Sequence, residues 1–158
     1  MHSSNTVEAK FLALVPPSVG GPIVRWIALL GLCAAYLQGG FNKLIDFPGA
    51  IAEMQHFGLS PPALLAAIVI ALELGASIMI LAGIYRWIGA LSLAAFTLMA
   101  TFLANRFWEM APPERIVAAN GFFEHLGLVG GFLLVAWIDF REAHRCVHQI
   151  ASEPARST

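Results

Sequence analysis

Charge is what this chain has least of. Asp, Glu, Lys and Arg together make up 12% of its 158 residues, about half the share of an ordinary soluble domain. Nine basic residues against ten acidic ones leave a net charge of −1, so there is no basic footprint for a nucleic acid. Cysteine is nearly missing. Cys33 and Cys146 are the only two and no C-x-x-C pair occurs, which argues against paired-thiol redox chemistry and leaves Cys33 as a small packing residue. Of five histidines only His125 falls inside a long apolar run, and a bis-histidine haem b needs two on facing helices. Internal repeats are absent as well, which disfavours a small-solute permease built from inverted halves.

What fills the chain instead is hydrocarbon. Hydrophobic residues make up 58% of it and the mean hydropathy is +0.74, more apolar than a soluble core of this size requires. Four windows are long enough to cross the roughly 30 Å apolar layer as helices of about 20 residues: Ile23–Phe41, Pro61–Tyr85, Trp87–Leu103 and Phe122–Ile138. The expected fold is therefore an all-α, integral membrane four-helix bundle. Pro-Pro pairs at 61–62 and 112–113 punctuate its two longer connections, where a missing N–H is tolerated at a helix start. Leu44 to Ser60 carries Ile45, Phe47, Ile51, Met54 and Phe57 behind Pro48, the pattern of a short interfacial helix lying over the bundle.

The boundaries expected are a tail over 1–22, one membrane domain over 23–138 and a second tail over 139–158. The first 17 residues have a polar start and an apolar run too short for a signal-peptide core, so they read as a retained tail. Four spans put both termini on one side, with Lys10, Arg25, Arg86, Arg141, Arg145 and Arg156 there and Lys43, Arg106 and Arg115 opposite. The basic excess favours both termini in the cytoplasm and four spans in the inner membrane.

Each span carries a small or polar face at helical spacing. These are Gly31, Ala35, Gly39 and Lys43 with Gln38 and Asn42 alongside; Ala66, Glu73, Ala76 and Ser77; Ala90, Ala94, Thr97, Thr101 and Asn105; and Asn120, Glu124, Gly127 and Gly131. Most of the small residues are packing surface. Depth separates the polar ones: Gln38, Asn42, Lys43, Asn105, Arg106, Glu124 and His125 lie near the ends away from the termini, while Glu73 lies about 18 Å along its helix, near mid-membrane. A carboxylate at that depth costs on the order of 3 kcal/mol on insertion scales, so Glu73 is either protonated or paired with Lys43 or Arg106. The expected site is a polar pocket opening away from the termini, floored by Glu73 and walled by Lys43, Asn105, Arg106, Glu124 and His125. Trp108 stands at its rim with Tyr36, Phe41, Phe107, Phe122 and Phe123, an arrangement that an interfacial aromatic belt also produces.

No metal site is expected. His144 and His148 are four apart with Cys146 between them, a spacing open to metal ligation, yet Arg141 and Arg145 make this stretch a basic juxtamembrane helix at anionic headgroups. No cofactor is identified by the residues, but a quinone is compatible with them, because it needs only an aromatic-lined cleft with a few hydrogen-bonding or titratable groups.

Several ordered blocks resemble the DoxX family: Gly-Gly-Phe-Asn-Lys-Leu at 39–44, His-Phe-Gly-Leu-Ser-Pro-Pro at 56–62, Glu-Leu-Gly-Ala at 73–76, Leu-Ala-Gly-Ile-Tyr-Arg at 81–86, Phe-Leu-Ala-Asn-Arg-Phe-Trp at 102–108 and Phe-Phe-Glu-His-Leu-Gly-Leu-Val-Gly-Gly at 122–131. The resemblance spans residues 23 to 138 and implies a four-helix integral membrane fold. It also implies membrane redox work, since relatives are subunits of quinol oxidase, of thiosulfate:quinone oxidoreductase or of thiol-redox complexes. Asn105 stands where relatives often carry histidine, and Glu124-His125 where they often carry Lys-Asn. The function so implied is an accessory or small subunit of a quinone-linked oxidoreductase, with a redox subunit or a second copy as partner. In it Glu73, Glu124 and His125 handle protons while Lys43, Gln38, Asn42, Asn105, Arg106 and Trp108 bind a headgroup. The alternative is a scaffold or assembly factor whose polar residues only join helices.

Overall fold

The computed structural model describes the backbone of residues 21–152 and the side-chain environments of 21–145. The tail over 1–20 and the side chains of Cys146, His148 and Arg156 lie outside the described residues, so the His144–His148 spacing is not tested. In chain order the elements are α1 (Pro22–Ile45), α2 (Phe47–His56), α3 (Pro62–Ala82), α4 (Arg86–Ala104), a 3-10 turn (Phe107–Glu109) and α5 (Glu114–Ser152). Four helices are long and apolar enough to cross a membrane, and α2 is the short helix between the first two. The all-α bundle is as expected.

Local chemistry sets the ends. Prolines open α1, α2 and α3, where the ring costs no hydrogen bond. Asp46 caps α2 by accepting from the Gly49 amide at 3.0 Å, which turns the chain sharply after α1. The α3–α4 connection is tight: Gly83 (φ 77°) and Tyr85 (φ 47°) both take the left-handed conformation, and Arg86 donates to the Ile80 carbonyl at 2.9 Å. Asp139 of α5 then accepts from the Trp87 amide at 3.2 Å and pairs with Arg86 at 3.5 Å. A residue from another helix thus caps α4 and pairs with the turn's cation.

This pairing also explains why the last helix outruns its apolar window. Asp139, Arg141 and Glu142 end the hydrophobic run but do not break a helix. Between Pro113 and Ser152 no proline interrupts the backbone ladder. Thus α5 starts eight residues before Phe122, and its 39 residues extend about 58 Å. Glu142 pairs with Arg25 of α1 at 3.0 Å, tying the same end of the bundle together.

The core lies toward that end. Leu29, Cys33, Tyr36, Ile80, Leu93 and Phe132 are buried together, and the Tyr36 and Phe132 rings meet edge-on at 5.3 Å between centroids. Ala90, Ala94, Thr97 and Thr101 of α4 and Ala66, Glu73, Ala76 and Ser77 of α3 are all buried. Those two faces match the pattern read from spacing. The glycine faces of α1 and α5 match only in part: Gly39 faces Glu73 and Gly131 meets Leu32, whereas Gly31 and Gly127 look onto open space. A stripe repeating every fourth residue drifts about 40° per step around a 3.6-residue helix, so Gly31 has rotated off the face that Gly39 shares with Lys43.

At Gly89, in contrast, a β-carbon would stand 2.7 Å from the Ala76 carbonyl oxygen, so α3 and α4 touch backbone to backbone. Gly89→Val is therefore expected to destabilise the protein by about 1–3 kcal/mol through overpacking, read as a lowered Tm in detergent. Gly127→Ala, with nothing within 4 Å, should leave Tm within a degree or two of the parent.

Candidate functional site

A cavity of about 290 Å³ opens in the half of the bundle away from the core, with residues of α1, α2, α3, α4 and α5 around it. Its polar end is built on two glycines. Gly40 lets α3 come close to α1, since a β-carbon there would lie 2.9 Å from the Leu74 side chain. Gly39 leaves the next space open, and Lys43, one turn on, folds back over it because helical side chains lean toward the N-terminus. The lysine nitrogen thereby reaches from near the end of α1 down to Glu73. The two stand 3.5 Å apart, with the carboxylate side chain 7% exposed and the lysine side chain 19%.

This is an ion pair and not a hydrogen bond. Glu73 Oε2 has no hydrogen-bond partner among the described residues, and neither does the buried Ser77 hydroxyl one turn further along α3. Lys43 is shared. Glu53 of α2 lies 3.8 Å from the same nitrogen, so one ammonium serves two carboxylates, one buried and one near the surface. An uncompensated charge at this depth costs several kcal/mol. The trio therefore leaves a buried carboxylate oxygen open to a hydrogen-bond donor.

Across the cavity stands His125. Its Nδ1 lies 2.5 Å from the Gly121 carbonyl oxygen one turn back, an acceptor only, so Nδ1 carries the hydrogen. That leaves Nε2 as the lone-pair nitrogen of the neutral ring. Asn105 Nδ2 is 3.3 Å from the same Nδ1 and 3.3 Å from Thr101 Oγ1. With Nδ1 donating, the amide's hydrogen bond goes to Thr101, and Asn105 packs on the ring. Tyr36 and Thr97 close the floor. The Thr97 hydroxyl donates to the Leu93 carbonyl at 2.6 Å, so its single hydrogen is used and Tyr36 donates to it across the bundle at 2.5 Å.

The residues expected in one pocket divide into groups. Glu73, Lys43 and His125 line the cavity together. Glu124 does not join them: consecutive helical residues point about 100° apart, and Glu124 is exposed, bordering a second depression with Asn105, Glu114 and Asn120. Arg106 pairs with Glu109 at 3.3 Å in the turn after α4 and does not reach Glu73. Gln38 and Asn42 are exposed on α1, outside the cavity lining. Trp108 is 47% exposed and packs with Phe102, Phe107 and Phe122 in an aromatic cluster. Glu53 and Thr97 belong to the site without having been singled out for it, and Tyr36, expected at the rim, closes the floor with Thr97. Glu53 is exposed on α2, with its side chain 44% accessible, so helical spacing carries no signal for it.

Lys43→Met should strand Glu73 beside an apolar side chain and lower stability by on the order of 3 kcal/mol. Adding Glu73→Gln should restore most of the lost Tm. Equal losses in the single and double variants would show that the pair does not couple α1 to α3.

The DoxX family matches residues 25–106, more than half of the chain and all of α2, α3 and α4. The segment holds Lys43, Glu53 and Glu73, while His125 lies beyond it. The inner membrane protein YphA of Escherichia coli (strain K12) is 26% identical over 115 residues, which cover 73% of this chain and 82% of that protein. No solved structure matches.

Proposed function

The chain belongs to the DoxX family of integral membrane proteins, and from that premise we propose that it is a small subunit of a quinone-linked oxidoreductase whose cavity holds the quinone headgroup. The observation that carries this reading is Glu73 Oε2, buried beside an apolar-walled cavity, 3.5 Å from the Lys43 ammonium and without a hydrogen bond. Such an oxygen is costly unless a ligand or a proton satisfies it. The donor and acceptor set suits a flat ring bearing oxygens at both ends. Lys43 offers N–H groups to a carbonyl, whereas Glu73 and the Nε2 of His125 accept from hydroxyls. The walls of Val69, Phe96, Leu103 and Leu128 supply apolar contact.

Quinone chemistry supplies the exchange of two electrons and two protons, and the electrons pass to or from a redox centre of a partner subunit. The residues of this chain manage the protons. Glu73 accepts one next to an ammonium that holds its charge beforehand, and His125 Nε2 accepts the other from its own wall. On this reading the polar end lies toward the side opposite the cytoplasm. Arg25, Arg86, Arg141 and Arg145 gather at the end of the bundle where α1 begins, as the positive-inside rule requires of the cytoplasmic face. An inner-membrane location accords with the name of the E. coli relative.

A second reading has its own support: Lys43–Glu73 joins α1 to α3 and Tyr36–Thr97 joins α1 to α4, as a scaffold or assembly factor would need. Quinol oxidation by the complex purified with its native partners separates the two. Glu73→Gln is expected to lower turnover about 100-fold, the scale of a lost proton acceptor. Unchanged turnover with only a lower Tm would assign these residues to holding helices. For orientation, a fluorescent protein fused after Thr158 should fluoresce and alkaline phosphatase at the same point should be inactive. The reverse result contradicts cytoplasmic termini.

A further inference from the structure

The cavity joins a charged cluster to an apolar wall, and that wall reaches the bilayer. Lys43, Glu53 and Glu73 gather around one ammonium, whereas Val69 of α3 and Phe96, Met99 and Leu103 of α4 give the cavity an apolar wall. Met99 lines the cavity and is also 62% exposed on the outside of the bundle. Counting 1.5 Å per residue, it lies about 8 Å below the end of α4 at Ala104, and Val69 about 10 Å from the start of α3. Both are at hydrocarbon depth. A residue that faces a cavity and lipid at once marks a place where the two are continuous.

The same helices are closed elsewhere. At the core end α3 and α4 meet backbone to backbone at Gly89 and Ala76 and are joined by the tight turn through Gly83 and Tyr85. Over the far end lies α2, whose Met54, together with Phe57 and Leu59 just beyond it, lines the cavity from that side. Met54 is buried against Ala66 and Ala50. On that side these apolar side chains cover the cavity, with Glu53 beside them at the surface. The other exposed lining residue at this depth, Ala35 of α1, stands next to Tyr36 and one turn from Gly39, at the polar end.

From this asymmetry we infer that the site takes a tailed lipid from within the bilayer: the head lies against Lys43, Glu73 and His125, and the long apolar tail leaves between α3 and α4 past Val69 and Met99. The inference rests on the quinone reading for the identity of the head and adds the class of molecule, an isoprenoid-tailed quinone and not a water-borne ring, and the route by which it arrives. Hydrophobic burial of the tail along these side chains contributes affinity in proportion to the area covered. Side chains at 69 and 99 therefore set tail preference without touching the proton-handling groups.

The test is binding to the full chain in lipid nanodiscs, with decylubiquinone as the tailed probe and 2,3-dimethoxy-5-methyl-1,4-benzoquinone as the same head without a tail. The parent protein should bind the tailed probe at least tenfold more tightly. Partition of the tail into the nanodisc contributes equally for every variant, so the change in this ratio isolates the wall. Met99→Trp, which narrows the gap, should reduce the ratio severalfold and leave binding of the tail-less head unchanged. Met99→Ala, which widens it, should keep or raise the ratio. Both variants change an exposed side chain, and the tail-less probe reports that the site is still folded. A ratio identical in the parent and both variants would overturn the lateral route while leaving the quinone reading standing. Failure of the parent to bind either probe would overturn the quinone reading and this inference with it.

Discussion

One ammonium beside one buried carboxylate governs the site half of this protein. Glu73 lies near the middle of a helix that otherwise carries no charge from Pro62 to Ala82, in surroundings where an unpaired anion would not persist. Lys43 compensates it from 3.5 Å, and only because the chain supplies two glycines where the lysine stem and α3 need room. Coulomb attraction at this separation is strong in a low dielectric, but it works against the cost of removing both charges from water. The result is a pair that positions two helices and remains electrostatically incomplete. A second carboxylate, Glu53, draws on the same ammonium from the covering helix.

The rest of the fold can be read as what holds this incomplete pair open to a ligand. At the terminal end the helices are locked by Phe132, Ile80 and Leu93, by backbone contact at Gly89 and by ion pairs from Asp139 and Glu142. Toward the other end small residues such as Ala100 and Ala104 line space where larger ones would fill it. Close packing is the rule in protein interiors, and the cavity beside Glu73 departs from it where the proposed function places a ligand. Tyr36 and Thr97 mark the boundary between the two halves, the last polar crossing above the apolar core.

Much of this was legible in the sequence because depth and periodicity are written in it. The spans, the covering helix after Pro48, the buried faces of α3 and α4, and Lys43 as a partner for Glu73 follow from apolar length, helical spacing and the cost of a charge in hydrocarbon. What was not legible depends on rotation and on breaks in the chain. Glu124 and His125 share a depth but not a face. Arg106 sits beyond the end of α4, where the chain turns away and gives it Glu109 instead. In α1 Gly31 rotates off the interface that Gly39 keeps, and α5 continues through Asp139 because a charged residue ends an apolar window without ending a helix. Spacing alone also hid Glu53, which stands on a different element and reaches the site only once α2 folds over it.

The central claim is that Glu73 receives a proton when the cavity is occupied by a reduced ligand. Infrared difference spectroscopy on the protein in nanodiscs, comparing bound quinone before and after electrochemical reduction and reoxidation, reads this directly. The account predicts a protonated-carboxyl C=O band that changes with the redox state and disappears from the difference spectrum of Glu73→Gln. A spectrum in which no carboxyl band changes, or one in which the band is unaltered by that substitution, would contradict it.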